Sequence, residues 1–102
     1  MFKNDEIEAA LLQLGVRVRE ARILKGDQQG SFAKRLGVSI PTLRALENGE
    51  PTVAVGTFVA ALWALSRLAD INQVLETHAS LFDQVERKAK TRHRVSSKAQ
   101  RA

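Results

Sequence analysis

The fold is decided by one short stretch of the chain, residues 29–46, which reads QGSFAKRLGVSIPTLRAL. It contains two apolar patterns of helical spacing, one ending at Leu36 and the other beginning after Ser39. The short connection between them starts with Gly37, and glycine readily adopts the left-handed conformation that turns a chain after a helix. Ser39 can cap the second helix, and Pro41 suits its first turn, where backbone N–H groups lack helical partners. This stretch therefore predicts two short helices joined by a tight turn.

Several positions of the stretch fit a helix-turn-helix together. Ala33 is small where the two helices must cross, and Val38 can fill the space under the turn. The side chains expected to face the core are Phe32, Leu36, Leu43 and Leu46. An incidental turn in an ordinary helical bundle explains these apolar positions equally well. It does not explain Ala33 and Gly37 at these offsets, so the sequence predicts a helix-turn-helix over residues 29–46.

The chain before this stretch also has helical spacing. Apolar residues recur at intervals of four and three from Ile7 to Ala21, which marks one face of a helix. Asn4 or Asp5 can cap its start, and Gly26 can end it. We therefore expect a long first helix before the helix-turn-helix.

The chain after the stretch predicts two more helices. A mainly apolar pattern from Val55 to Leu65 is typical of a buried fourth helix. A fifth helical pattern is formed by Ile71, Val74, Leu75, Leu81, Phe82 and Val85. No segment shows sustained period-two alternation, so no strand is expected. The prediction is an all-α, five-helix domain over residues 1–86.

The net charge of +5 arises from two segments. Residues 15–50 carry seven Lys and Arg against four acidic residues, and residues 87–102 carry seven against none. Because residues 87–102 have almost no apolar side chains, we expect a basic, disordered tail. Three roles for the tail stay open: a solubilising segment, a nonspecific DNA arm, and a segment that orders on a protein partner.

Composition excludes several classes of protein. With 102 residues, the chain has room for one small domain. Cysteine is absent, which removes disulfides and thiolate metal sites and suits a reducing compartment. The longest uncharged run, residues 51–66, is shorter than the ~20 residues that a membrane-spanning helix needs. The first apolar residues also follow acidic rather than basic ones, unlike a secretory signal. We therefore expect a cytoplasmic protein with no membrane partner.

The sequence contains no convincing catalytic set. Only His78 and His93 are present as histidines, so a metal site would need carboxylates at unfavourable spacing. His78 could pair with Asp83 as a base and its orienting acid, but no nucleophile motif accompanies them. Residues 26–31, GDQQGS, lack the spacing and the lysine of a phosphate-binding loop. We expect no enzyme activity, no cofactor and no metal.

Beyond these local patterns, the chain resembles a known family. The resemblance is carried by LGVRVREAR at 14–22, Gln29, FAKRLGVS at 32–39, Pro41-Thr42 and LENG at 46–49. These motifs are similar to those of the XRE family of phage-repressor-like DNA-binding domains, which implies a lambda-repressor-like fold. Pro51 and VGT at 55–57 resemble the HipB-like branch of that family. HipB-like proteins are antitoxins of operons that encode a HipA-type serine/threonine kinase toxin.

The HipB-like resemblance implies a function. It implies a homodimer that binds palindromic operators in double-stranded DNA, represses its own operon at the nucleoid, and associates with the kinase toxin. One alternative is a stand-alone XRE-family phage or chromosomal regulator without a toxin partner. Another is a protein-binding adaptor that sequesters a kinase while its DNA binding is vestigial.

The resemblance also places the third helix in the major groove of DNA. Because Leu43 and Leu46 face inward, the outward side chains are Ile40, Pro41, Arg44 and Ala45. Arg44 is the expected base reader, since a guanidinium can pair with both acceptors of guanine. Further phosphate or base contacts are expected from Gln29, Lys34, Arg35, Ser39 and Thr42. The alternatives are a capping role alone for Ser39 and a solvated face for Lys34 and Arg35.

Two other sets of residues are expected to support this reader. The resemblance pairs Arg22 of the first helix with Glu47 of the third in a structural ion pair.

Departures from the family pattern are Gln28, where a Ser or Thr cap is usual, and Gly30, which weakens the second helix by ~1 kcal/mol relative to alanine. The expected dimer interface includes Trp63, Leu75, Leu81 and Phe82, with ordinary core packing as the alternative.

Overall fold

A computed structural model describes residues 4–77. The helices, in order, are α1 (Asp5–Leu24), α2 (Gln29–Leu36), α3 (Ile40–Glu47), α4 (Val55–Ala64) and a 3-10 helix (Leu68–Gln73). The predicted all-α fold with five helices is confirmed, and no strand occurs within the described range. None of these helices is both long enough and apolar enough to cross a lipid bilayer. Several predictions lie outside the described residues: Leu81, Phe82, Val85, the boundary at residue 86 and the basic tail at 87–102.

The long helix α1 begins and ends where local signals place it. The Asn4 side chain accepts hydrogen bonds from the backbone N–H groups of Glu6 (2.9 Å) and Ile7 (3.2 Å), which caps the first turn. Acidic residues in that turn complement the positive end of the helix. At the other end, Gly26 has a φ of 85°, so the chain turns away after Lys25. The predicted bounds of this helix are confirmed.

The turn between α2 and α3 also forms as predicted. Gly37 is left-handed, with a φ of 74°, and the Val38 N–H donates to the Ala33 carbonyl at 3.0 Å. The Ser39 hydroxyl accepts from the Thr42 N–H at 3.2 Å and so caps α3. The core between the two helices contains fully buried Phe32 and Leu43.

A backbone contact between α1 and the end of α3 was not predicted. A Cβ atom on Gly15 would lie only 2.5 Å from the Glu47 carbonyl oxygen and 2.7 Å from that of Leu46. Gly49, just after α3, has a φ of 73°, and a Cβ there would lie 2.5 Å from the Leu11 carbonyl oxygen. The two glycines therefore let α1 lie directly against the backbone that leaves α3.

The fourth helix is buried on one face only. Ala61, Leu62 and Ala64 are buried and complete the core, whereas Val55 is 73% exposed and Trp63 is 61% exposed. The expectation of a buried fourth helix therefore holds for one face of α4 only. Its apolar pattern exceeds what the core of this domain covers.

The fifth helix is a 3-10 helix rather than the α-helix that the pattern suggested. It ends at Gln73; Val74 is extended, and Leu75 has a φ of 61°. Leu68 and Ile71 are three residues apart, which suits a helix with three residues per turn. The short element packs against α4, and the described part of the chain continues beyond it to residue 77.

Candidate nucleic-acid interface

The outward side of α3 presents the residues expected to meet DNA bases. Ile40, Pro41 and Arg44 are exposed and Ala45 is half-buried, while Leu43 and Leu46 are buried on the opposite side. This arrangement follows from the helical period, because the inward leucines fix the rotation of α3 about its axis. The positively charged guanidinium of Arg44 therefore lies on an otherwise apolar face of α3.

Polar groups at the start of α3 are engaged with each other. The Ser39 hydroxyl lies 3.0 Å from the Thr42 hydroxyl and also accepts the Thr42 backbone N–H. Ser39 is exposed and Thr42 is half-buried. Each hydroxyl keeps further hydrogen-bonding capacity, so capping the helix and contacting DNA are compatible roles for Ser39.

Arg22 and Glu47 lie together in the interior. The Arg22 Nε donates to Glu47 Oε2 at 2.6 Å and its Nη2 donates to Oε1 at 3.1 Å, with side chains only 7% and 3% exposed. The third guanidinium nitrogen, Nη1, donates to the Asp27 carbonyl oxygen at 2.8 Å. This two-pronged pair fixes α1, the loop before α2 and the end of α3 in one arrangement.

Gln29 connects this buried pair to the exposed Arg44. Its amide Nε2 donates to Glu47 Oε1 at 3.3 Å, and its Oε1 accepts from Arg44 Nε at 3.4 Å. The Gln29 side chain therefore positions Arg44 through its Nε, and Glu47 in turn positions Gln29. This link was not predicted, because Gln29 and Arg44 lie on different helices and nothing in their spacing indicates a contact.

The N-terminus of α2 is left open by Gln28. The Gln28 side chain makes no capping hydrogen bond to the described part of α2. The first N–H groups of an uncapped helix point outward and favour an anion such as a phosphate. The departure from the usual Ser or Thr cap thus leaves backbone N–H donors at the start of α2, next to Gln29.

The Arg35 guanidinium makes contacts within the fold. Its Nη1 donates to Asp27 Oδ2 at 2.7 Å, its Nη2 donates to the Ala64 carbonyl oxygen at 2.7 Å, and its guanidinium lies 5.8 Å from the Phe32 ring centre. Lys25 Nζ donates to the same Ala64 oxygen at 2.8 Å. Two cations thus meet the negative end of α4, which stabilises it. Lys34, by contrast, is exposed.

Two of the residues expected at a dimer interface are exposed in the described structure. Trp63 is 61% exposed on α4, and Leu75 is 94% exposed after the 3-10 helix. Ordinary core packing, the alternative for these residues, therefore does not describe either of them. Leu81 and Phe82 lie outside residues 4–77.

Comparison with known proteins gives a match in the central part of the chain. Residues 18–62 match a family model described as Helix-turn-helix. The matched range runs from the second half of α1 into α4, so it includes the turn and both partners of the Arg22–Glu47 pair. No curated protein and no solved structure matches the chain significantly. The family that this model describes consists of DNA-binding regulatory domains.

Proposed function

We propose that this chain, whose central residues form an XRE-type helix-turn-helix, is a transcriptional repressor that binds a palindromic operator as a homodimer. The observation that carries the proposal is the exposed Arg44 on the outer face of α3, held by Gln29 against a buried ion pair. A positioned guanidinium on an exposed helix can donate two hydrogen bonds to a guanine in the major groove. The protein would act on nucleoid DNA in the cytoplasm.

The proposed DNA contacts divide into base and phosphate contacts. Arg44 pairs with the two acceptors of a guanine, and Ile40, Pro41 and Ala45 supply apolar contact to neighbouring bases. Lys34, Ser39, Thr42 and the open N-terminus of α2 contact the DNA backbone. Arg35 is assigned to the fold, because both of its forked nitrogens are already hydrogen-bonded. Since a single arginine reads few base pairs, DNA shape contributes to specificity.

Within this proposal, the chain is the HipB-like antitoxin of a toxin–antitoxin operon and associates with a HipA-type kinase toxin. Support comes from the resemblance at Pro51 and residues 55–57, just before α4. Co-purification with the product of the neighbouring gene tests this branch. A kinase-like partner supports the antitoxin, whereas its absence favours the stand-alone regulator. Failure to bind upstream DNA in preference to random DNA, combined with kinase binding, favours the adaptor.

Replacing Arg44 should relax specificity at one guanine in each half-site. We expect Arg44→Ala to lower discrimination there by about 1–3 kcal/mol, or roughly 5- to 150-fold, because the paired donors are lost. Arg44→Lys is the matched control: it keeps the charge but not the fork, so specificity should fall while the salt dependence of binding changes little. Fluorescence anisotropy with operator variants measures both quantities. Unchanged preference at every base pair in Arg44→Ala would reject the role of Arg44.

Removing the Gln29 side chain separates positioning from phosphate binding. We expect Gln29→Ala to reduce discrimination at the Arg44 guanine by about tenfold or less, because one ordinary hydrogen bond to Arg44 is lost. Lys34→Ala is the comparison, since loss of a phosphate contact weakens binding to all sequences alike and lowers the salt slope by about one. If Gln29→Ala instead weakens operator and random DNA equally, Gln29 is a phosphate ligand only.

A further inference from the structure

A second helical stripe runs along the outer side of α1. Its members recur at intervals of four, three, four, three and four, and all are exposed. We call this stripe the outer seam: Asp5, Ala9, Leu12, Val16, Arg19 and Ile23. Such spacing is that of a coiled coil, in which one helix packs along another. The core side of α1 is different, since it buries Gly15, Val18 and Arg22.

The seam exposes more apolar surface than a solvated helix face needs. Leu12 is 53% exposed, Val16 38% and Ile23 54%. The opposite side of α1 packs against the end of α3, where the backbone at Leu12 meets Gly49, and the side chains of the seam stay exposed. Exposed apolar side chains that lie together on one helix face, as Ala9, Leu12 and Val16 do, favour an interaction surface.

We propose that the outer seam binds the outer seam of a second copy of this chain, with the two α1 helices antiparallel. In the register that joins the apolar residues, Leu12 faces the partner's Val16, and this contact occurs twice by symmetry. Ala9 then faces the partner's Arg19, and the small alanine leaves room for the stem of the arginine. Asp5 lies at the end of the seam, beside the partner's Ile23.

The charges of α1 select the antiparallel direction. Acidic residues occupy the first turns of the helix, whereas Arg19 lies near its other end. Antiparallel packing therefore brings Glu8 to the same level and the same side as the partner's Arg19. Parallel packing would instead place Arg19 against the partner's Arg19. In the antiparallel dimer Glu6 lies on the same side as the partner's Glu20, whereas in the parallel dimer Asp5 also faces the partner's Asp5. Each direction therefore has two like-charge contacts, and only the antiparallel dimer has two ion pairs that offset them.

This inference rests on the homodimer of the proposed function and gives that dimer a surface. The seam is separate from Trp63 and Leu75, which lie on and after α4. Because Gly15 holds α1 directly against the end of α3, pairing of the α1 helices also fixes the distance between the two recognition helices. The dimer then has one geometry with which to meet an operator.

Charge exchange across the seam tests the pairing in the full chain without DNA. Glu8→Lys and Arg19→Glu should each weaken dimerisation about tenfold or more, because each replaces two attractive pairs with two repulsive ones. The double variant Glu8→Lys/Arg19→Glu should return to within about threefold of the original constant. Glu50→Lys, which makes the same charge change outside the seam, is the control and should dimerise normally. Sedimentation equilibrium measures the constants, and circular dichroism checks that each variant is folded.

Cysteine cross-linking tests the register independently, because the chain has no cysteine of its own. A mixture of Leu12→Cys and Val16→Cys chains should form mixed disulfide dimers faster than either variant forms dimers alone. Faster self-linking of Leu12→Cys would indicate parallel packing and overturn the proposal. So would a dimer unaffected by both charge variants, although the homodimer of the proposed function would then stand on another surface. A monomer that still binds its operator as a pair would likewise overturn the seam and leave the DNA-binding proposal intact.

Discussion

Gly49→Ala is expected to lower the free energy of unfolding by about 2–5 kcal/mol. Two penalties add at this position. A non-glycine residue at a φ of 73° is strained by about 1–2 kcal/mol, and the new Cβ would lie 2.5 Å from the Leu11 carbonyl oxygen, an overlap that usually costs about 1–3 kcal/mol. The atoms nearest to the new Cβ all belong to the backbone of Leu11 and Leu12. Relief of the overlap therefore requires α1 to move away from α3. Urea unfolding followed by circular dichroism measures the change.

Three other glycines separate these two penalties. Gly37→Ala has the left-handed φ but nothing within 4 Å of the new Cβ, so it should lose only about 1–2 kcal/mol. Gly15→Ala has the overlap without the strain, and the helix preference of alanine offsets about 1 kcal/mol of its loss. Gly56→Ala, with neither penalty, should be neutral or slightly stabilising. If Gly49→Ala were no worse than Gly37→Ala, the close approach of α1 to α3 would be wrong.

Breaking the buried Arg22–Glu47 pair should be comparably damaging. We expect Glu47→Leu or Arg22→Met to destabilise the domain by about 3–5 kcal/mol, because each leaves an uncompensated charge in the interior. Arg22 would keep only the Asp27 carbonyl, and Glu47 would keep only the Gln29 amide. Since small domains have total stabilities of about 5–15 kcal/mol, either single variant approaches unfolding.

The double variant Arg22→Met/Glu47→Leu distinguishes pairing from packing. It removes both charges and keeps apolar volume, so it should be clearly more stable than either single variant. The double-mutant cycle then gives the coupling energy between the two residues. Simple addition of the two single losses would mean that the side chains act separately. For a single variant that is unfolded at 25 °C, Glu47→Gln supplies a milder loss, since the amide still accepts from Arg22.

Local signals explain why much of the fold could be predicted. The bounds of α2 and α3 depend on Gly37 and on the Ser39 cap, and both act within a few residues of themselves. The start of α1 depends in the same way on Asn4. The inward leucines of α3 fixed its rotation, and with it the exposed side on which Arg44 stands. These features needed no knowledge of the rest of the chain.

Features set by contacts between distant residues were missed. Gly15 lies in the middle of a helix, where glycine is unfavourable, and that anomaly was the available signal of a close backbone approach. The Gln29 bridge and the use of Arg35 at the end of α4 depend on how three helices meet. For Trp63 the sequence left a dimer interface and core packing as alternatives, since an apolar pattern does not say which of its faces the core covers.

The shared acceptor at Ala64 affects how the domain opens. Lys25 and Arg35 both donate to this last carbonyl of α4, and Arg35 also binds Asp27 in the loop between α1 and α2. Fraying of the α4 terminus would therefore release the Lys25 and Arg35 side chains and loosen the loop between α1 and α2. We therefore expect the end of α4 and the start of the helix-turn-helix to open together, so that amide hydrogens in both exchange with solvent at similar rates.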